Sequence, residues 1–237
     1  MFDEENHTKI AELAEGLGVE VAALMAIVEV ESGGRYFAQV DGRKEPLIRF
    51  EGHYFDRLLP AAARAEAAAQ GLASPKPGKI ANPRRQSDRW KLLNRAIEIN
   101  RAAALSSCSW GVGQVMGAHW QWLGYGSVDA LVAQARSGIA GQIELMARYI
   151  ERAGLAETLR ARDWTVFARH YNGPGFAKHG YDHKMAAAYQ KHSTGTEPEE
   201  TGQSPTLPKA AGSSNRGKSR MWRSIRSSLL PIFKWFN

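Results

Sequence analysis

The sequence predicts a mainly α-helical protein of the α+β class, with one small β-hairpin. Apolar residues recur at steps of three and four through most of residues 1–191, which is the spacing of amphipathic helices. An Asp-Gly pair at 41–42, flanked by aromatic and β-branched residues, has the composition of a hairpin turn. From residue 192 the composition changes to Ser, Thr, Gly, Pro and charge. We therefore expect one folded domain over 1–191, a disordered linker over 192–219 and a basic amphipathic segment over 220–237.

Glycines mark the ends of the first two helices. The first carries its apolar residues from Ile10 to Leu17, and the second begins near Val21 and ends at Gly33, where glycine permits backbone angles closed to other residues. An Ala-rich helix over 58–71 and a proline-containing loop over 72–83 follow the hairpin. Further helices are predicted over 87–106, 114–122, 127–136, 138–152, 155–170 and 182–190.

Charge is distributed unevenly along the 237 residues. The net charge is +7, yet residues 1–200 carry 24 charges of each sign, whereas residues 201–237 carry seven basic and no acidic residues. A polyanionic partner would therefore meet the C-terminal segment first. The single cysteine, Cys108, excludes an intramolecular disulfide, and the acidic N-terminus "MFDEENHTK" lacks the features of a signal peptide. We expect synthesis in a cytoplasm without Sec export.

The last 17 residues, "MWRSIRSSLLPIFKWFN", place large apolar residues at steps of three or four, with basic residues between them. This pattern is typical of a segment that lies in a membrane interface, and it is too short and too charged to span a bilayer.

Two glutamates near the end of the second helix are candidates for chemistry. A helix turns about 100° per residue, so Glu29 and Glu31 point roughly 200° apart and cannot share one face. Periodicity leaves the choice open, but Glu31 lies directly before "SGG", where the chain opens to a substrate. A carboxyl group partly walled by apolar residues has a raised pKa and can hold a proton, as a general acid must. The structural alternative is a solvated helix end.

Two later segments combine glycine turns with polar groups. Residues 106–120, "SSCSWGVGQVMGAHW", carry Gly111 and Gly113, which permit close backbone approach, and the amide of Gln114. Residues 168–176, "ARHYNGPGF", place Tyr171 and Asn172 before a Gly-Pro-Gly turn. Each segment alone has the composition of an ordinary turn.

In this order, the segments "VESGG", "FEGHYF", "SWGVGQVMG" and "DWTVFARHYNGPGF" resemble those of the N-acetylmuramidase family of phage and prophage endolysins, within the lysozyme-like superfamily. They are also similar to segments of goose-type lysozymes and soluble lytic transglycosylases. The resemblance covers about residues 17–190 and implies a two-lobed helical fold with a peptidoglycan cleft between the lobes. It implies the general-acid role for Glu31, and substrate-binding roles for Ser32, Gln114, Tyr171 and Asn172.

The second carboxylate of such a site is less directly indicated. Glu51 is the first candidate, placed in the return strand of the hairpin, and Asp41 is the second. The structural alternative for Glu51 is a salt bridge to Arg49 or Arg35. The scattered histidines and the single cysteine show no metal-ligand spacing, so we expect neither metal nor cofactor.

The resemblance therefore implies a hydrolase of the β-1,4 bond between N-acetylmuramic acid and N-acetylglucosamine in peptidoglycan. One alternative is a lytic transglycosylase, which forms 1,6-anhydro ends; another is a glycan-binding module that carries a membrane-disrupting tail. We expect a monomer that acts on the bacterial cell wall in the periplasm, with residues 220–237 meeting anionic membrane or lipopolysaccharide. Binding of nucleic acid is not expected.

Overall fold

The computed structural model describes residues 4–194, which contain eleven α-helices and five short strands. The helices are α1 (Glu4–Leu17), α2 (Val21–Ser32), α3 (Gly52–Leu58), α4 (Ala61–Ala69), α5 (Gln86–Ile99), α6 (Arg101–Ser106), α7 (Val128–Arg136), α8 (Ile139–Arg152), α9 (Ala156–Arg160), α10 (Trp164–Asn172) and α11 (Tyr181–Ser193). The strands are β1 (Phe37–Val40), β2 (Arg43–Pro46), β3 (Ile48–Phe50), β4 (Cys108–Trp110) and β5 (Val115–Met116). The predicted mainly α architecture with a small β component is confirmed.

Helix α2 runs through the interior of a helical group formed with α1, α8, α10 and α11. It packs most extensively against α11, and Leu24, Ile27 and Val28 are fully buried. A helix that is apolar on most sides must be covered on most sides. Gly33 then ends α2 in the left-handed conformation, with φ of 55°, as the sequence predicted. The residues just before Gly33 therefore lie at the edge of the core.

The predicted hairpin is confirmed. Strands β1 and β2 pair antiparallel from Phe37↔Pro46 to Val40↔Arg43. The two residues between them, Asp41 and Gly42, have φ of 48° and 78°. Positive φ at both central residues matches the right-handed twist of the strands, which explains the Asp-Gly pair.

The hairpin is not the only β element in the described part of the chain. A second, three-stranded antiparallel sheet has the order β3-β4-β5, with Ile48 opposite Trp110 and Trp110 opposite Val115. The predicted helix over 114–122 is therefore wrong, since β5 and a 3-10 turn at Gly117–His119 occupy its start. Pairing of β5 with the neighbouring strand β4 overrides the helical spacing there. Cys108, in β4, is fully buried, as expected of a small hydrophobe.

Two long predicted helices are each divided in two. The prediction over 87–106 becomes α5 and α6, because the side chain of Asn100 accepts a hydrogen bond from Ala103 N and starts a new helix. The prediction over 155–170 becomes α9 and α10, where Asp163 caps Val166 N in the same way. Helix α11 continues to Ser193, and the predicted segment over 220–237 lies outside the described residues. None of the described helices is long and apolar enough to cross a membrane.

Candidate active site

Glu31 lies in the last turn of α2 and is only 8% exposed. Its Oε1 accepts a hydrogen bond of 2.8 Å from Nδ2 of Asn172, at the end of α10. Ser32, the next residue, uses its hydroxyl locally: Oγ accepts from Gly34 N over 3.0 Å and contacts Glu29 O over 3.3 Å. The structure therefore brings two predicted site residues, Glu31 and Asn172, into direct contact and gives Ser32 a role in ending the helix.

Glu29 points to the other side of α2, as the helical geometry requires. Its carboxylate binds Lys191 Nζ at 3.0 Å and lies 2.8 Å from Nε2 of His192, both on α11. Burial alone would raise the pKa of Glu29, but the hydrogen bonds to Lys191 and His192 outweigh it and hold that pKa below its ordinary value. A carboxyl that is ionised at neutral pH is a poor general acid. Glu29 serves the packing of α2 on α11.

The turn between β4 and β5 passes close to the end of α10. Oη of Tyr171 donates a hydrogen bond of 3.0 Å to the Gly113 carbonyl. A β-carbon at Gly113 would lie 2.8 Å from Cβ of Met146 and 3.0 Å from Oη of Tyr171, so only glycine fits. The expected close approach is thus present. Tyr171 is fully buried, and burial raises its pKa well above the ordinary value, so it remains a neutral donor.

The side chain of Gln114 stabilises this turn through hydrogen bonds. Its Nε2 donates to Gly111 O at 2.8 Å and to Leu47 O at 3.2 Å, while its Oε1 accepts from Ser109 Oγ at 3.0 Å. Gln114 itself has a φ of 49°, in the left-handed region. The predicted cleft residue therefore joins the β4–β5 turn to the start of β3.

Gln142 is a residue that the sequence analysis missed. It is 1% exposed, and its Oε1 accepts from Val112 N at 3.0 Å while its Nε2 donates to Tyr36 O at 3.3 Å. These two hydrogen bonds connect the turn between β4 and β5 to the residue that precedes the hairpin. The sequence carried a signal for this role, since a glutamine lies on the apolar stripe of α8, three residues after Ile139 and four before Met146. A polar group buried at such a position must be hydrogen-bonded.

Glu51 does not lie in the return strand of the hairpin, so that placement was wrong. The return strand is β2, whereas Glu51 follows β3 of the second sheet and precedes α3. Its Oε1 accepts from Arg49 Nε at 2.8 Å, and its Oε2 lies 3.5 Å from Nδ1 of His53. Asn82 pairs with both backbone groups of Phe50 and so fixes the strand just before Glu51. The Arg49 salt bridge expected as the structural alternative is present.

Asp41, the second candidate, occupies the exposed hairpin turn. Its positive φ gives it a conformational role in that turn. Glu51 is the better-enclosed candidate, since its side chain is 13% exposed and lies between two basic groups.

The fold and this constellation define a lysozyme-like domain, in which a buried glutamate at the end of one helix is hydrogen-bonded to an asparagine at the end of another. A family model described as N-acetylmuramidase matches residues 20–193, and the chain belongs to that family. Among solved structures it is similar to the endolysin of Burkholderia phage AP3, with 34% identity, a TM-score of 0.70, and coverage of 79% of this chain and 71% of that one. A search of curated proteins gives no match. The protein is thus a glycoside hydrolase that cleaves peptidoglycan.

Proposed function

We propose that the protein hydrolyses the β-1,4 bond between N-acetylmuramic acid and N-acetylglucosamine, with Glu31 as general acid. The observation that carries the proposal is the contact between Glu31 and Asn172, because it joins two of the four family segments at one buried carboxyl group. Glu29, the rival on the same helix, is engaged in an ion pair on the opposite side.

The hydrogen bond from Asn172 also orients the carboxyl group of Glu31. Glu31 Oε1 accepts a hydrogen bond from the amide, which restricts rotation of the carboxyl group. Glu31 would protonate the glycosidic oxygen as positive charge develops on the sugar ring. A neighbouring amide that fixes the carboxyl plane holds the group in one orientation while the substrate binds.

Glu51 is the proposed second carboxylate. Arg49 holds one of its oxygens at 2.8 Å, which fixes the orientation of the carboxyl group. A carboxylate in this state could direct a water molecule or stabilise the oxocarbenium-like transition state. A lytic transglycosylase has no need of a group that activates water, since the sugar hydroxyl itself attacks.

Mass spectrometry of the fragments released from purified peptidoglycan tests the bond and the reaction together. Hydrolysis at the proposed bond gives fragments that end in reducing N-acetylmuramic acid. Fragments lighter by one water would show 1,6-anhydro ends and a transglycosylase, whereas reducing N-acetylglucosamine ends would place the cut at the other glycosidic bond. Glu31→Gln protein, prepared in parallel, controls for contaminating lytic activity.

The C-terminal segment is proposed to bring the enzyme to an anionic envelope surface. The seven basic and no acidic residues of 201–237 support this, together with the apolar residues at helical steps after Met221. Deletion of residues 218–237 should weaken lysis of intact Gram-negative cells and spare hydrolysis of exposed wall. Equal loss in both assays would contradict a targeting role, and undiminished lysis of intact cells would exclude one. Light scattering of the full chain would test the expected monomer.

A further inference from the structure

A cavity of about 250 Å³ lies between the C-terminal ends of α8 and α10. Its walls combine apolar groups with two basic side chains, and the lining residues are Tyr149, Ala153, Leu155, Arg169, His170, Gly173 and Pro174. Cavities that hold drug-sized ligands are usually about 300–1,000 Å³. This one therefore fits a small group, such as one amino-acid residue, and not a disaccharide.

The cavity adjoins the proposed active site through the backbone. Gly173, which lines it, directly follows Asn172, whose side chain contacts Glu31 at 2.8 Å. Tyr149 forms another wall, and its ring contacts the ring of Tyr171 with centroids 5.7 Å apart. The cavity therefore lies beside Asn172 and Tyr171, the two residues at the end of α10 that contact the proposed active site and the β4–β5 turn.

The end of α10 and the segment that follows it are basic. Residues 169–184 include Arg169, Lys178 and Lys184 against a single acidic residue, Asp182. All three basic side chains belong to exposed residues, and none takes part in the ion pairs found within residues 4–194. Cationic groups beside a small apolar cavity match a ligand with a short apolar body and a carboxylate.

We propose that this cavity binds a carboxylate-bearing residue of the peptidoglycan stem peptide, with Arg169 as the main charge partner and His170 as a second donor. The inference rests on the proposed function, because the stem peptide is attached to the muramic acid that the active site would hold. The alanyl methyl groups and free carboxylates of stem peptides have the required chemistry. The enzyme then recognises peptide as well as sugar, and prefers substituted strands to bare glycan.

The test compares two substrates, namely peptidoglycan strands with intact stem peptides and the same strands after an amidase has removed the peptides. The readout is the ratio of kcat/KM on substituted strands to kcat/KM on bare strands. Arg169→Gln should lower this ratio about three- to five-fold, the size expected from an exposed ion pair. His170→Gln should lower it by a smaller factor. Arg152→Gln is the matched control, because Arg152 adjoins the lining residue Ala153 and does not itself line the cavity.

A fall in the ratio of the two kcat/KM values in Arg169→Gln, but not in Arg152→Gln, supports the site. An unchanged ratio in Arg169→Gln, or an equal fall in both variants, overturns it. Failure of the wild-type protein to cleave either substrate would instead refute the proposed function, so the two failures are distinguishable. Melting temperatures of the variants separate a lost contact from a lost fold.

Discussion

Asn172 donates a hydrogen bond of 2.8 Å to Glu31 across 141 positions of the chain. The bond joins the end of α10 to the end of α2, and both residues are buried, at 5% and 8% exposure. A hydrogen bond to a carboxylate in such surroundings is short and strong, so it fixes the plane of the carboxyl group. Catalysis by Glu31 should therefore depend on Asn172.

Asn172→Leu should lower kcat roughly 10- to 100-fold, with a smaller change in KM, because the side chain is similar in size but no longer orients Glu31. Asn94→Leu, at an exposed position of α5, is the control. A kcat within two-fold of wild type would contradict this role.

Glu51→Gln should lower kcat by about 100-fold or more if Glu51 is the second carboxylate, because the neutral amide neither activates water nor stabilises positive charge. Asp41→Asn should stay close to wild type, since Asp41 lies in an exposed turn. Steady-state kinetics on purified peptidoglycan measures both. The reverse order of effects would transfer the role to Asp41.

Gly113→Ala should destabilise the fold by about 1–3 kcal/mol, because the added methyl group overpacks against Met146 and Tyr171. For a domain of this size the expected fall in Tm is roughly 2–4 °C per kcal/mol. Gly126→Ala is the matched control, since a β-carbon there meets nothing within 4 Å. Equal melting temperatures for the two variants would show that the turn has room to relax.

His119 should make the protein less stable in mild acid. Burial lowers its pKa, and it lies against the rings of Trp122 and Tyr149. In the unfolded chain this histidine therefore binds a proton near pH 6.5, whereas in the folded protein it binds one only at lower pH. This contribution to stability is present above the unfolded pKa and is lost as the pH falls below it.

Urea unfolding between pH 7.5 and 5 measures this effect. His119→Gln should show a smaller fall in the free energy of unfolding than wild type, whereas His7→Gln, at an exposed position, should show the same fall. His53, whose pKa is also lowered by burial, remains in both variants and adds a term of the same sign. Identical slopes for His119→Gln and wild type would exclude His119 as the cause.

Local signals in the sequence were sufficient for the elements that local geometry determines. Helix α2 was predicted because its apolar spacing and the glycines that end it act within a few residues, and Asp41-Gly42 specified the hairpin turn. The second sheet was missed because its strands have only two or three residues each, and Ile48 meets Trp110 across 62 positions. Pairing between residues so far apart in the chain produces no periodic pattern of apolar residues that could be recognised in the sequence.

The candidate site shows the same division. Geometry on a helix separated Glu29 from Glu31, the Ser-Gly-Gly exit favoured Glu31, and the resemblance implied its role as the acid. The structure adds the physical reason: Glu29 is bound by Lys191 and His192, whereas Glu31 meets Asn172 in the interior. Neither partner follows from spacing near residue 30, since α10 and α11 reach α2 only through tertiary packing.

The central claim is that Glu31, and not Glu29, is the general acid. The most direct measurement is the rate of hydrolysis of purified peptidoglycan by Glu31→Gln and Glu29→Gln, each with its melting temperature. We predict a loss of at least about 100-fold for Glu31→Gln. For Glu29→Gln we predict near-wild-type activity and a stability loss below about 1 kcal/mol, as expected for a partly exposed ion pair. Retained activity in a folded Glu31→Gln protein, with loss in a folded Glu29→Gln protein, would contradict the claim.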